Sequence, residues 1–162
     1  GGEAAIHAMK MLYDKSETEA VLLVDAANAF NIINRKAFLH NIKIVCPILA
    51  NYVNNCYYHP TRLFILGGGE ISSQEGTTQG DPLAMAVYSI GTTPLLEKLR
   101  MVTDKTKDGM VAFADDLTAA GKLKSLRCWW NNLISLGPQF GYHPQPPKSW
   151  LIIKEEYLEE AR

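Results

Sequence analysis

The sequence predicts an α+β domain in which helices pack on one face of a mostly antiparallel sheet. Short apolar runs, which are typical of buried strands, are interspersed with longer segments whose apolar residues recur at helical spacing. Two pairs of these runs are separated by only a few turn-forming residues, which indicates antiparallel hairpins. With 162 residues, 47% of them hydrophobic, the chain is long enough to bury the core of one domain.

The first half of the chain is predicted to form a helix, a strand, two helices and a hairpin. Apolar residues recur at helical spacing in residues 1–15, and the continuous apolar run at residues 20–25 suits a buried strand. Asn34 can cap the next helix, and Pro47 suits the first turn of the helix after it. Three consecutive glycines then separate two strand-like runs and supply the positive φ that a tight connection needs.

The second half is predicted to form a long helix, a second hairpin, an amphipathic helix and a last strand. Asp81 and Pro82 are a helix-start pair before the apolar spacing of residues 83–96. The runs "GMVAF" and "LTAAG" give the two strands of the hairpin, and the amphipathic segment after them ends at Gly137. The Pro-rich stretch "GYHPQPPKSW" then leads into the last strand.

Composition and charge exclude several classes of protein. The formal net charge of −1 gives no whole-chain argument for nucleic-acid binding, although such a balance can hide a basic patch that offsets an acidic site. The three cysteines show neither CxxC spacing nor a histidine cluster, which disfavours a zinc site and a disulfide framework. No apolar run approaches the roughly 20 residues that span a bilayer. We therefore expect an intracellular protein, in cytoplasm or nucleus, with no membrane partner.

Asp115 and Asp116 lie between the two strands of the second hairpin, where neighbouring carboxylates can both reach solvent on one side. An Asp-Asp pair alone is most often a polar turn, and Asp25 alone could equally end a strand or cap a helix. If the strand that ends at Asp25 lies beside the hairpin, three carboxylates converge, and their repulsion raises their pKa values unless a cation is bound. Mg²⁺ prefers such oxygen ligands, so the pattern indicates a magnesium site.

Four segments resemble the palm motifs of reverse transcriptases in their order and spacing: "VLLVDAANAF", "EGTTQGDPLAMAVYSIG", "VAFADDLTAAG" and "LGPQFGYHPQPPKSWLI". The resemblance covers residues 20–153. The form "QGDPL" is similar to that of non-LTR retrotransposons and group II intron proteins. The resemblance implies a polymerase palm with a catalytic Asp-Asp hairpin and RNA-directed DNA synthesis within a retroelement polyprotein.

The resemblance also assigns catalytic roles. Asp25 matches the first-motif aspartate, while Asp115 and Asp116 match the hairpin pair, with "FADD" in place of Tyr-x-Asp-Asp. Asp25 and Asp115 would be the principal ligands of two Mg²⁺ ions, for which Mn²⁺ can substitute. Asp116 would contribute more weakly, and the carbonyl of Ala26 would be a further metal contact. The implied reaction is in-line attack of a primer 3′-hydroxyl on the α-phosphorus of a nucleotide.

A second group of residues matches the nucleotide-binding positions of the family. Phe30 stands where an aromatic ring closes the space of a ribose 2′-hydroxyl, which favours deoxynucleotides; an ordinary core phenylalanine is the alternative. Asn28 and Ala29 would offer backbone N–H groups to the triphosphate. Gln79 would orient the incoming nucleotide, and Gly80 would permit its close approach.

Lys148 matches the lysine of the fourth motif, which would protonate the departing pyrophosphate or neutralise its charge. An exposed lysine at a strand start is an equally good interpretation. Trp129 and Trp130 could stack on bases, but their helical spacing with leucines favours core packing. Three basic residues of the same helix either are solvated or follow a template backbone: Lys122, Lys124 and Arg127.

The resemblance implies that residues 1–162 are a palm with part of the fingers, without most of the fingers and the thumb. We therefore expect the fragment alone to be inactive. Its partners would be an RNA template, a DNA or RNA primer, deoxynucleoside triphosphates and the remaining domains of the parent polyprotein. Two alternatives remain, an RNA-directed RNA polymerase palm and an inactive nucleic-acid-binding module; Phe30 argues against the first and the three aspartates against the second.

Overall fold

Six strands and seven helices are found in the computed structural model, which describes residues 1–78, 80–102 and 108–162. The strands are β1 (Ala20–Val24), β2 (Thr61–Ile65), β3 (Gly69–Ser73), β4 (Gly109–Phe113), β5 (Asp116–Gly121) and β6 (Trp150–Ile153). The helices are α1 (Gly2–Tyr13), α2 (Ala29–Ile32), α3 (Arg35–Val45), α4 (Pro47–Tyr57), α5 (Ala84–Met101), α6 (Leu123–Leu136) and α7 (Leu158–Ala161). None of these helices has the length and apolar character needed to cross a membrane.

The segments form two units. The first consists of Gly1–Ala27, Leu95–Pro138 and His143–Arg162, and the second consists of Asn28–Pro94 and Gln139–Tyr142. The first unit contains a four-stranded sheet in the order β4-β5-β1-β6, in which every neighbouring pair is antiparallel. This arrangement confirms the predicted α+β class with an antiparallel sheet.

Strand β1 is covered by helices on both faces, which explains its continuous apolar sequence. On one face Val21 packs with Met9 of α1 and with Ala120 of β5. On the other face Leu22 lines a cavity together with Leu126 of α6. The predicted placement of the helices on one face of the sheet therefore needs a correction, since α1 and α6 lie on opposite faces. An amphipathic pattern shows that a helix has a buried side, but it does not show which sheet face that side covers.

Helix α6 supplies the largest buried side chain of the first unit. Trp129 is fully buried, and its indole N–H donates to the sulfur of Met110 on β4. The predicted core packing of this helix is confirmed for Trp129, whereas Trp130 is only half-buried. The helix is followed by Gly137, as predicted.

The second unit contains the helix pair and the first hairpin. The Asn34 side chain accepts a hydrogen bond from the N–H of Ala37 (2.9 Å), and Pro47 occupies the first turn of α4, so both predicted helix starts are confirmed. Between the helices, the ring of Phe38 packs edge-on against Tyr57, with ring centroids 5.5 Å apart. Gly91 of α5 allows close packing, since a Cβ there would lie 2.8 Å from side-chain atoms of Phe38 and Ile33.

Some local structure has no signal in the sequence. The short helix α2 has no periodicity long enough to reveal it. Helix α5 contains Pro94 and continues to Met101, beyond the predicted end at residue 96. The predicted hairpin over three glycines is confirmed as β2 and β3, with Gly67 and Gly68 at positive φ.

Candidate active site

The aspartate pair lies at the tip of the hairpin formed by β4 and β5. The strand pairing ends with Phe113 opposite Asp116, so Ala114 and Asp115 form a two-residue turn. Ala114 has a φ of 55°, a positive value at the first turn position that is typical of a type II′ turn. Glycine is preferred at this position, because an L-residue with a Cβ is strained there by about 1–2 kcal/mol. The turn therefore holds the aspartates on a strained backbone.

Strand β1 brings Asp25 to the same place. Val24 pairs with Leu117 of β5, so the next residues along the two antiparallel strands are Asp25 and Asp116. The expectation that the strand ending at Asp25 lies beside the hairpin is confirmed. Three carboxylates thus come from one strand end and one hairpin tip.

The electrostatics of Asp116 reflect this arrangement. Partial desolvation is the main cause that raises the pKa of Asp116, and the negative charges of Asp115 and then Asp25 raise it further. The carboxylate stays in contact with solvent, so partial desolvation and the two neighbouring negative charges act on it together. A bound cation would relieve this repulsion.

The donor set fits a hard divalent cation. Across the described part of the chain, no three His, Cys, Asp or Glu side chains form a group that could by itself hold a metal ion. Mg²⁺ does not require such a group, because it usually takes one or two protein carboxylates and completes its shell with water and substrate phosphates. Asp25 and Asp115 could provide two such carboxylates. Their ligand atoms are oxygens, which suit Mg²⁺, whereas zinc sites are usually built from nitrogen and sulfur ligands.

The carbonyl of Ala26 has a defined direction. Ala26 forms an antiparallel bridge with Pro144, flanked by hydrogen bonds from Ala27 N to His143 O (2.9 Å) and from Gln145 N to Asp25 O (2.8 Å). These flanking bonds use the backbone groups on either side of Ala26, so its own carbonyl points away from residues 143–145. The bridge runs along the β6 side of the strand, and the carbonyl faces the hairpin side.

Lys148 is held close to Asp25 through the backbone. Its Nζ lies 4.0 Å from Oδ2 of Asp25, with 66% of the lysine side chain exposed. Ser149 Oγ accepts a hydrogen bond from the N–H of Asp25 (3.4 Å) and donates one to Gln145 O (2.8 Å). The role of Ser149 is not predictable from the sequence, because nothing there links it to a strand end 124 residues earlier.

The proposed nucleotide-binding residues lie in the second unit. Asn28 has a left-handed conformation (φ 42°, ψ 36°) and caps α2, while Ala29 is buried in its first turn. The half-buried ring of Phe30 packs on Tyr88, with ring centroids 4.6 Å apart. The carbonyl of Phe30 accepts hydrogen bonds from both the N–H (2.7 Å) and the hydroxyl (3.2 Å) of Thr77.

Gly80 has a φ of 91°, which explains the need for glycine, and a Cβ there would have open space around it. Gln79 lies outside the described residues. Nearby in sequence, the Tyr57 hydroxyl donates to Asp81, and burial, followed by this bond, raises the pKa of Tyr57. No motif or spacing in the sequence predicts that contact.

The structure therefore places the predicted site residues in two groups. Asp25, Ala26, Asp115, Asp116 and Lys148 lie in the first unit, where pairing and hydrogen bonds bring them together. Asn28, Ala29, Phe30 and Gly80, which the sequence predicts to bind the nucleotide, belong to the second unit.

Solved telomerase structures share this fold. Apo telomerase from Candida tropicalis has a TM-score of 0.72 at 12% identity, covering 96% of this chain and 33% of that chain. Telomerase from Candida tropicalis in complex with the TWJ fragment of telomeric RNA has a TM-score of 0.71 at 13% identity, covering 94% and 29%. The corresponding complex from Candida albicans has a TM-score of 0.68 at 10% identity, covering 95% and 30%.

This chain thus spans about a third of the length of the telomerase chains that it resembles. No protein-family model and no curated protein matches the sequence. The likeness to these solved structures shows that the chain has the α+β fold of the telomerase segments that it matches.

Proposed function

We propose that this chain is the palm of an RNA-directed DNA polymerase that acts by two-metal nucleotidyl transfer. The observation that carries the proposal is the register of β1 and β5, which sets Asp25 beside Asp116 at the tip of the Asp115–Asp116 hairpin. Reverse-transcriptase-like folds place their catalytic carboxylates on such a strand end and hairpin, and telomerase is itself a reverse transcriptase.

The three aspartates would form the catalytic centre. Asp25 and Asp115 would hold two Mg²⁺ or Mn²⁺ ions, with the carbonyl of Ala26 as a further contact and Asp116 as a weaker one. Such ions would stabilise charge on the attacking and leaving oxygens of the in-line displacement. The primer 3′-hydroxyl loses its proton to solvent, its oxygen forms the new bond to the α-phosphorus, and the bond from that phosphorus to the pyrophosphate oxygen breaks. The strained turn at Ala114 fixes the two hairpin carboxylates in place.

Lys148 would act on the leaving group. Its ammonium lies 4.0 Å from the Asp25 carboxylate and is largely exposed, so it can follow a phosphate entering this region. A positive charge there neutralises the departing pyrophosphate, and its N–H groups can donate a proton.

Phe30 would select the sugar. Its ring packs on Tyr88, and two hydrogen bonds from Thr77 hold its backbone carbonyl. An aromatic ring at this position of a reverse transcriptase excludes the ribose 2′-hydroxyl and so selects deoxynucleotides. Asn28, Ala29, Gln79 and Gly80 would complete the nucleotide site.

The partners follow from the same proposal. An RNA template, a DNA or RNA primer and deoxynucleoside triphosphates are the substrates of such an enzyme, and two of the structural neighbours are complexes with telomeric RNA. The "QGDPL" motif favours a retroelement polyprotein as the parent protein. We place the enzyme inside the cell, where its nucleotides and template are found.

Primer extension on an RNA template tests the activity, using the longest natural chain that contains this domain with Mg²⁺ or Mn²⁺. We expect incorporation of deoxynucleotides that Asp115→Asn abolishes. Incorporation of ribonucleotides alone would instead assign an RNA polymerase. No incorporation of either, with RNA still bound, would assign an inactive binding module.

The metal site can be tested in the 162-residue chain itself. Titration with Mn²⁺, followed by the loss of the free-ion electron paramagnetic resonance signal, should show binding that Asp25→Asn and Asp115→Asn weaken. Asp14→Asn is the matched control, because Asp14 is an exposed carboxylate at the end of α1. Equal binding by all four proteins would contradict the assignment of the aspartates as ligands.

A further inference from the structure

A basic groove of about 640 Å³ lies in the second unit, apart from the residues assigned to polymerisation. Its walls come from α3, from the end of α4 and from the loop after β3. Lys36, His40 and Lys43 line it from α3, at a spacing that puts them on one side of the helix. All three side chains are exposed.

The surrounding sequence is strongly one-sided in charge. Residues 26–69 contain four Lys and Arg residues and no Asp or Glu, although the whole chain has a net charge of −1. Neither Lys36 nor Lys43 forms an ion pair within the described part of the chain. Lys36 and Lys43 therefore present cationic groups without an ion-pair partner at the groove, which is the electrostatic pattern that attracts polyanions.

The carboxylate that does line the groove is already engaged. Glu75 accepts a hydrogen bond from the backbone N–H of Arg35 (2.8 Å), and the buried Arg35 guanidinium donates to the carbonyls of Ser73 (2.9 Å), Glu75 (3.2 Å) and Gly76 (3.1 Å). Arg35 also lies over the ring of Tyr57, 5.4 Å from its centroid. These bonds fix the loop after β3 against α3, so the groove has a rigid floor.

An aromatic side chain stands at the groove. Tyr58 lines it with 64% of its surface exposed, and its ring meets that of His59 edge-on at 4.9 Å. The polar side chains of Asn54 and Gln74 complete the lining. A cationic track next to an exposed aromatic ring is the combination that binds single-stranded nucleic acid, where the backbone follows the charges and a base stacks on the ring.

We infer that this groove binds the phosphodiester backbone of a single-stranded nucleic acid, with Lys36, His40 and Lys43 contacting phosphates and Tyr58 stacking on a base. This inference goes beyond the polymerase proposal, because it needs none of the catalytic aspartates and holds for a chain that does not polymerise. The polyanion is a nucleic acid and not an acidic peptide, because the side chains of Asp and Glu have no aromatic ring that could stack on Tyr58, whereas every base has one.

The test measures binding of a fluorescein-labelled oligouridylate to the 162-residue chain by anisotropy over a range of salt concentrations. Lys36→Gln/Lys43→Gln should weaken binding and lower the slope of log Kobs against log salt by about 1.4, the value for two phosphate contacts on a single strand. Lys10→Gln/Lys15→Gln is the matched control, since it removes the same charge from exposed positions of the first unit. It should leave the slope unchanged.

A second pair of variants tests the stacking contact. Tyr58→Ala should weaken oligouridylate binding about fivefold or more, as expected for loss of one base stack, whereas Tyr58→Phe should retain it. Equal slopes for both lysine double variants would overturn the inference. So would binding of an oligoglutamate peptide that depends on Lys36 and Lys43 while oligouridylate is not bound.

Discussion

The ammonium of Lys148 lies 4.0 Å from the carboxylate of Asp25, and backbone hydrogen bonds connect the two chain segments that carry them. Gln145 N donates to Asp25 O, and Ser149 Oγ accepts from Asp25 N, so the lysine segment is fixed to the end of β1 by two bonds. The pairing of the side chains is loose and exposed, while the backbone connection is specific. The backbone hydrogen bonds therefore fix the position of the Lys148 main chain, while its exposed side chain remains able to move.

Lys148→Gln should reduce nucleotide addition without destabilising the protein. An exposed ion pair of this kind contributes about 0–1 kcal/mol, so the midpoint of urea unfolding should hardly change. Loss of a general acid typically slows the chemical step about 10²–10⁴-fold. Single-turnover extension measures the rate of nucleotide addition in the variant and in the parent protein. An unchanged rate would leave Lys148 as a surface residue.

Asp116→Asn should stabilise the metal-free protein at neutral pH. Because the folded-state pKa of Asp116 is raised, the folded protein binds the proton more tightly than the unfolded chain does, and this group destabilises the fold once pH exceeds the unfolded pKa of about 3.9. The asparagine removes that penalty at pH 7. Below the unfolded pKa both states are protonated, and the benefit disappears.

Thermal unfolding in the presence of a chelator, at several pH values, measures this difference. The gap in Tm between Asp116→Asn and the parent chain should open as pH rises from acid to neutral. Asp14→Asn removes the same charge from an exposed position at the end of α1 and provides the control. A gap that closes towards neutral pH would contradict the raised pKa of Asp116.

Local signals in the sequence predicted most of the elements that carry the site. The Asn34 cap, the Pro47 helix start and the hairpin at the aspartate pair are encoded by neighbouring residues, and the structure has all three. Two features depend on contacts distant in sequence and could not be predicted. Ser149 meets the backbone of Asp25 across 124 residues, and α1 covers the sheet face opposite α6. The positive φ of Ala114 was also hidden, because alanine carries no turn signal.

Phe30→Ala should relax the choice of sugar. If the ring excludes the 2′-hydroxyl, its removal opens the space that a ribose needs, and the ratio of kcat/KM for deoxy- over ribonucleotides should fall by about tenfold or more, equivalent to about 1.4 kcal/mol. The ring is half-buried against Tyr88, so a stability loss is also expected. A loss of folded protein lowers the apparent kcat of both nucleotide types equally, so the ratio measured on one protein sample is unaffected by it. An unchanged ratio would make Phe30 a packing residue.

Ala114→Gly should stabilise the hairpin while loosening the aspartates. Glycine removes the strain of about 1–2 kcal/mol at a φ of 55°, but it adds about 0.5–1 kcal/mol of backbone entropy to the unfolded chain. The net gain in the free energy of unfolding, measured with urea, should lie between zero and about 1.5 kcal/mol. Ala114→Val should lower the stability of the protein, because a β-branched side chain tolerates positive φ least.

If the strained turn fixes the carboxylates for metal binding, Ala114→Gly should bind Mn²⁺ more weakly despite its greater stability. A variant that is more stable and binds Mn²⁺ equally well would show that the strain serves no purpose in the metal site.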